Sequence, residues 1–311
     1  MKKISILIPT YNEQDNVEPL SEAIINQFET RLTDYDYEIV FIDNRSSDNT
    51  QSKLVELCKK NKEIKAIFNS KNFGQFNSPF HGLLQTDGDC VISMCADFQD
   101  PVEMIPIFVA EWEKGYKVVC GIKATSKENS IMYFLRTCYY KLIRKMSNVD
   151  MIEHFTGFGL YDKSFIDVLR ELNDPIPFLR GIVAELGPER KEITYEQQKR
   201  KSGKTKNSFY SLYDAAMLSF TTYTKVSMRI ATFFGFICSA LSMAVAFVYL
   251  VLKLLFWNSF PMGTAPILIG VFFFGSVQLF FIGFLGEYIM NINTRIINRP
   301  LVIEERRINF D

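Results

Sequence analysis

Histidine is nearly absent from this chain: His81 and His154 are the only two in 311 residues. The six cysteines, Cys58, Cys90, Cys95, Cys120, Cys138 and Cys238, form no C-x-x-C pair and show no metal-ligand spacing. These two absences argue against a zinc site, and scattered thiols suit a reducing compartment. Net charge is missing too. Lys+Arg total 35 and Asp+Glu total 35, so no global basic field points to nucleic acid. No secretory leader is expected, because Met1-Lys2-Lys3 runs straight into a β-like segment. The last absence is local. Between Ile230 and Ile289 only Lys253 and Glu287 carry charge, whereas residues 1–205 have the mixed composition of a soluble α/β protein.

Within the first 120 residues, β-rich runs alternate with helix-like stretches. The runs are Ile4–Ile8, Glu38–Ile42, Ile64–Phe68, Cys90–Met94 and Lys117–Cys120. Between them, Val17–Thr30, Gln51–Lys60 and Val102–Lys114 carry apolar residues at helical spacing. Strands separated by single helices imply βαβ units and a mostly parallel sheet. Such sheets bind ligands at the carboxyl ends of their strands. Polar clusters fall at those ends: Pro9-Thr10-Tyr11-Asn12-Glu13, Asp43-Asn44-Arg45-Ser46 and Asp97-Phe98-Gln99-Asp100. Three clusters on one rim make a candidate site.

The last third reads as a membrane module. Ile230–Leu252 is 23 residues without charge, and Pro266–Leu285 is 20 residues whose only strongly polar member is Gln278. About 20 apolar residues span the hydrocarbon of a bilayer. Lys225 and Arg229 precede the first run, and Arg295, Arg299, Arg306 and Arg307 follow the second. That bias predicts a hairpin with both ends in the cytoplasm. The expected organisation is a catalytic domain over 1–207, an interfacial region over 208–228, two spans within 229–290 and a cytoplasmic tail over 291–311. Ser208–Ser227, rich in Phe, Tyr and Leu, fits either a helix lying in the headgroup layer or ordinary core packing.

The motif ISILIPTYNE over Ile4–Glu13, the acid Asp43, the run Ala96-Asp97-Phe98-Gln99-Asp100-Pro101 and Arg200-x-x-Gly203 together resemble family 2 glycosyltransferases. The subgroup that this chain resembles is the polyisoprenyl-phosphate glycosyltransferases, among them bactoprenol glucosyltransferases and dolichyl-phosphate mannose synthases. The resemblance implies a GT-A, Rossmann-like catalytic domain followed by a transmembrane hairpin. It implies that Pro9, Tyr11, Glu13 and Asp43 hold the nucleoside. A ring face can stack on a base, and a carboxylate can accept from base N–H or ribose hydroxyls. It also implies Mg²⁺ or Mn²⁺ on the donor diphosphate, held by Asp97 with support from Gln99.

The chain departs from the family pattern in three places. Cys95 replaces the first acid of the usual Asp-x-Asp-x-Gln, and a thiol is a poor ligand for a hard cation. Thr156-Gly157-Phe158-Gly159-Leu160 stands where many relatives read Gly-Asp-Phe-Arg-Leu. Asn44 replaces a second Asp and receives no role. Turn and cap chemistry is the expectation for Ser46, Ser47 and Asp48. Asp100, followed by Pro101 and by Glu103, is expected to cap the next helix.

A phosphate acceptor calls for cations. The resemblance implies acceptor roles for Lys123 and Arg136, and a phosphate clamp in Arg200-x-x-Gly203-Lys204-x-Lys206, with Arg200 and Lys206 as catalytic cations. Lys141 and Arg144 are expected to meet anionic headgroups. The expected partners are a nucleotide sugar (a UDP-sugar is favoured), polyisoprenyl phosphate and membrane lipids, with a homotetramer as in relatives and no nucleic acid. The expected location is the bacterial inner membrane, with the catalytic domain facing the cytoplasm.

Overall fold

The computed structural model describes residues 1–124, 152–187, 189–198, 264–297 and 299–310, with single positions between 233 and 255. One eight-stranded sheet organises them. Its strands are β1 (Lys2–Thr10), β2 (Tyr35–Asp43), β3 (Ile64–Asn69), β4 (Cys90–Ser93), β5 (Val118–Lys123), β6 (Phe155–Asp162), β7 (Arg190–Tyr195) and β8 (Glu304–Ile308). The order across the sheet is β7-β5-β6-β4-β1-β2-β3-β8. The β1–β2, β1–β4, β2–β3 and β5–β7 pairs are parallel, while β6 and β8 run antiparallel to their neighbours. Six strands therefore point the same way. Their carboxyl ends, with the amino ends of β6 and β8, form one rim.

Burial follows the two-residue period of a strand. Ile4, Ile6 and Ile8 face one side with Ile39, Phe41 and Phe68, whereas Leu7 faces the other with Val40, Ile42 and Ile67. Helices α1 (Val17–Thr30), α2 (Thr50–Lys60) and α4 (Met104–Glu113) cover the first face. Helices α3 (Gly74–Leu84), α5 (Lys163–Leu172) and α6 (Leu179–Leu186) cover the second. The five strand expectations and α1, α2 and α4 match, with ends moved by at most a few residues. Within the first 120 residues helix α3 is the element that the pattern hid, since Gly74 and Pro79 lower its helical propensity. Tertiary packing overrides that cost: Gly82 sits where a Cβ would be 2.8 Å from Leu7 Cδ1.

Asp100 does not cap α4. That helix starts at Met104, after a tight turn in which Met104 N–H donates to Pro101 O at 3.1 Å. The carboxylate instead turns inward, toward partners described below. Asp48 does behave as turn chemistry predicts, with Oδ1 accepting from Thr50 N–H at 3.0 Å at the start of α2.

Helix α7 (Thr264–Ile297) is 34 residues long and includes the second expected span. Its stretch Phe273–Ile297 is long and apolar enough to cross a membrane. Val271, Phe273, Leu279, Ile282 and Ile289 on it are all exposed. Of the first expected span only single positions are described. They are helical, with Phe233, Ile237 and Leu241 exposed. Residues 208–228 lie outside the described residues.

At the opposite rim, Glu38 is 1% exposed. Its Oε1 accepts from Ser5 Oγ at 2.6 Å and Asp87 N–H at 2.9 Å, and its Oε2 meets Lys3 and Lys65, each at 2.9 Å. Burial alone would raise this carboxyl, but the hydrogen bonds and the two lysines win and hold it at about 2, against an ordinary 4.5. A folded-state value below the unfolded one stabilises the fold above pH ~4.5, and that contribution is lost as pH falls toward ~2. Glu38→Gln should cost about 3 kcal/mol at pH 7, the low end for a broken buried pair, because both lysines can turn to water. In thermal unfolding of the detergent-solubilised chain, the gap between wild type and variant should narrow through that acid window. A gap independent of pH would show that packing, not charge, carries the effect.

Candidate active site

The first two rim loops are knitted together by side chains. Asn12 adopts a left-handed conformation, φ 56°, which asparagine tolerates better than most residues. Its N–H donates to Ser46 Oγ at 2.8 Å, and its Oδ1 accepts from Ser47 N–H at 2.7 Å. Glu13 N–H donates to Thr50 Oγ1 at 2.8 Å, and the Glu13 carboxylate accepts from Asn16 Nδ2 at 2.6 Å. Asp43, fully buried, accepts from Ser46 N–H at 3.0 Å, Gln51 Nε2 at 2.7 Å, Ser46 Oγ and, at 3.5 Å, Thr10 Oγ1. Pro9 and Tyr11 lie half-buried beside them. The rim thus brings Pro9, Tyr11, Glu13 and Asp43 into one loop cluster.

Asn44 has a structural task that explains why it is not an acid. Its Nδ2 donates to Asn72 Oδ1 at 3.0 Å and Gly74 O at 3.1 Å, while its Oδ1 accepts from Phe73 N–H at 2.9 Å. An aspartate would set a carboxylate oxygen against two acceptors. Through Asn44 the loop Ser70–Gly74 joins the site, a loop that motif matching passed over. Its signal was its position, since it too follows the carboxyl end of a parallel strand.

Beyond β4 the chain makes a tight loop. Phe98 is left-handed at φ 62°, and Asp97 Oδ1 accepts from Gln99 N–H at 3.1 Å. Asp97 is 7% exposed. Asp100 anchors the loop: one oxygen accepts from Cys95 N–H at 2.9 Å and the other from Tyr195 Oη at 2.9 Å. Gln99 is stitched to the same segment, accepting from Gln197 Nε2 at 2.9 Å. Burial pushes the Asp100 carboxyl up from its ordinary range, and the Cys95 N–H, Tyr195, the Cys95 thiol and nearby Lys123 offset that only in part. Cys95 keeps an exposed surface, yet the Asp100 carboxylate, desolvation and Asp97 hold its thiol well above its usual value. A thiol is in any case a poor ligand for a hard cation. Among the described residues no cluster of three or more His, Cys, Asp or Glu is poised to hold a metal. The donor set therefore fits a cation shared between Asp97, Gln99 and a substrate's phosphates, not a site built by protein alone.

The altered segment on β6 is written into the backbone. Gly157 has φ +100°, a conformation L-residues rarely adopt, and a Cβ at Gly159 would lie 2.3 Å from Val119 O. Neither an Asp at 157 nor an Arg at 159 fits this chain path. Lys123 ends β5 at the same rim, its N–H donating to His154 O at 3.4 Å. Arg180 stacks over Phe178, 5.0 Å from the ring centre. Arg136, Lys141, Arg144, Arg200, Lys204 and Lys206 lie outside the described residues.

The family model described as "Glycosyl transferase family 2" matches residues 5–170 of this chain. The chain belongs to that family. It is therefore a glycosyltransferase. The putative glycosyltransferase CsbB of Bacillus subtilis is 32% identical over 98% of this chain and 92% of its own length. The prophage bactoprenol glucosyl transferase homolog of Escherichia coli K12 is 28% identical, covering 98% of this chain and 99% of that one. A solved structure of glucosyl-3-phosphoglycerate synthase from Mycobacterium tuberculosis, in complex with Mn²⁺, UDP and phosphoglyceric acid, is similar at 15% identity. That likeness has a TM-score of 0.49 and covers 71% of this chain and 77% of that one.

Tyr195→Phe deletes one donor from a buried carboxylate while leaving the ring against Phe158, 5.1 Å away between ring centres. It should lower stability by about 1.5–3 kcal/mol, the usual range for a bond to a charged group. Chemical denaturation reads this directly, and a loss below ~0.5 kcal/mol would show that Asp100 is satisfied without the phenol.

Proposed function

We propose that this glycosyltransferase moves a hexose or N-acetylhexosamine from a nucleotide sugar, with UDP favoured, onto polyisoprenyl phosphate at the cytoplasmic membrane face. The observation that carries this reading is the reach of the similarity. The family domain ends at residue 170, yet relatives named as bactoprenol glucosyl transferases match 97–98% of the chain, its long apolar helix included. A lipid-borne phosphate requires a membrane-resident enzyme, whereas a soluble acceptor does not.

Topology adds support through parity. Strand β8 follows α7 in the chain and pairs with β3, so the chain must return to the side it left. If α7 crosses the bilayer, an odd number of other crossings precedes it, and Ile230–Leu252 has the length and composition to supply one. The arrangement is then a catalytic domain, an interfacial region over 208–228, two spans within 229–290 and a returning tail.

In this reading Pro9, Tyr11, Glu13 and Asp43 seat the nucleoside. Asp97 and Gln99 would hold Mg²⁺ or Mn²⁺, which when bound neutralises charge on the departing diphosphate. The acceptor phosphate is already an anion near neutral pH, its second pKa being about 6, so it needs orientation more than deprotonation. Lys123, Arg136, Arg200 and Lys206 supply the cations that orient it and that meet the leaving group. The nucleophilic oxygen forms a bond to the anomeric carbon as the bond to the diphosphate breaks. In-line displacement inverts that carbon.

Purified protein given radiolabelled UDP-glucose and undecaprenyl phosphate should yield an organic-soluble labelled lipid. Asp97→Ala should slow that reaction by on the order of 10²-fold, whereas Cys95→Ser should change it little. Label appearing only in water-soluble product would sink the lipid acceptor. For topology, cysteines engineered at Ser259 and in the tail at Asp311 should differ in intact cells: an impermeant reagent should reach only the first.

A further inference from the structure

We propose that the C-terminal strand β8 is a positioning element for the nucleotide rim, so that donor affinity depends on chain lying beyond the last membrane helix. This rests on the donor reading given above. Five contacts carry it. Ser70 N–H, at the head of the loop that Asn44 holds, donates to Ile303 O at 2.9 Å. Glu305 pairs with Arg45, the left-handed residue (φ 65°) between Asn44 and Ser46. Glu304 meets His81 on α3 at 2.5 Å. Arg306 lies over the face of buried Phe68, 4.6 Å from the ring centre. At the far end, Asn309 Nδ2 donates to Cys58 O and Ile64 O at 2.8 and 2.7 Å.

The placement of these contacts matters more than their number. Asn309 fastens β8 away from the rim, whereas Ile303 and Glu305 grip the two loops that carry Asn72 and Asp43. Exposed ion pairs such as Arg45–Glu305 contribute little to global stability. A pair that selects one conformation of a binding loop acts instead on affinity, by removing the cost of ordering that loop when the ligand arrives. The membrane side of the strand is fixed as well: Arg295 on the last turn of α7 bonds Asp174 at 2.8 Å, a residue of the α5–α6 connection. Helix, strand and donor loops therefore form one mechanical series.

The test is a calorimetric titration of the detergent-solubilised full chain with UDP and GDP, followed by donor-saturation kinetics. The variants are Glu304→Ala combined with Glu305→Ala, and the milder Glu305→Gln, which keeps shape and removes charge. The double variant should weaken nucleotide binding roughly three- to tenfold and raise donor KM alike, with kcat at saturation unchanged. Glu305→Gln should shift both the same way by less. Equal nucleotide affinity in wild type and variants overturns the coupling and leaves the donor reading standing. So does a fall in kcat or melting temperature without a change in affinity. A wild type that binds neither nucleotide overturns both.

Discussion

The carboxylate of Asp43 is buried just beneath the rim, and the loops around it are built to meet its needs. A buried charge must be matched by donors or it expels itself from the fold. Here the donors come from Thr10 at the end of β1, Ser46 in the loop after β2 and Gln51 in the first turn of α2. Satisfying one acid therefore fixes where β1 ends, how the loop after β2 turns and where α2 begins. Asn12, Glu13 and Thr50 extend the same network sideways. The rim is held by this shared set of hydrogen bonds, not by any single strong one.

Much of that was legible in the sequence, for reasons that can be named. The strands β1 to β5 announce themselves because strands buried on both faces must be continuous apolar runs. The polar clusters at their ends then identify a rim without any knowledge of contacts. What stayed hidden was decided by tertiary contacts. Helix α3 carries Gly74 and Pro79, residues that argue for a loop, and only packing against Leu7 and Ile42 makes Gly82 the favoured residue there. Asp100 had every local feature of a helix cap, yet Tyr195, 95 residues away, competes for it and wins. Strand β8 lay in what read as a charged tail, because an edge strand needs only one apolar face.

Two of the three departures from the family pattern have different physical standing. The replacement of the first acid by Cys95 is local: its thiol sits beside the Asp100 carboxylate, whose Oδ2 accepts from Cys95 N–H. The Gly157 and Gly159 pair is cooperative: the positive φ at one and the close approach of Val119 at the other belong to a single path of β6. Restoring either side chain alone would strain the strand rather than recover a lost contact.

The pairing of β8 with β3 also sets an order of events at birth. A ribosome delivers the chain from its amino end, so β1 to β7 can assemble while α7 is still unmade. The open edge of β3 must wait. Its covering strand emerges only after the 34 residues of α7. The same waiting edge is a hazard, because unpaired strands recruit strangers. A chain stopped short of β8 would therefore stay unfinished at the very edge that Ile303 and Glu305 brace.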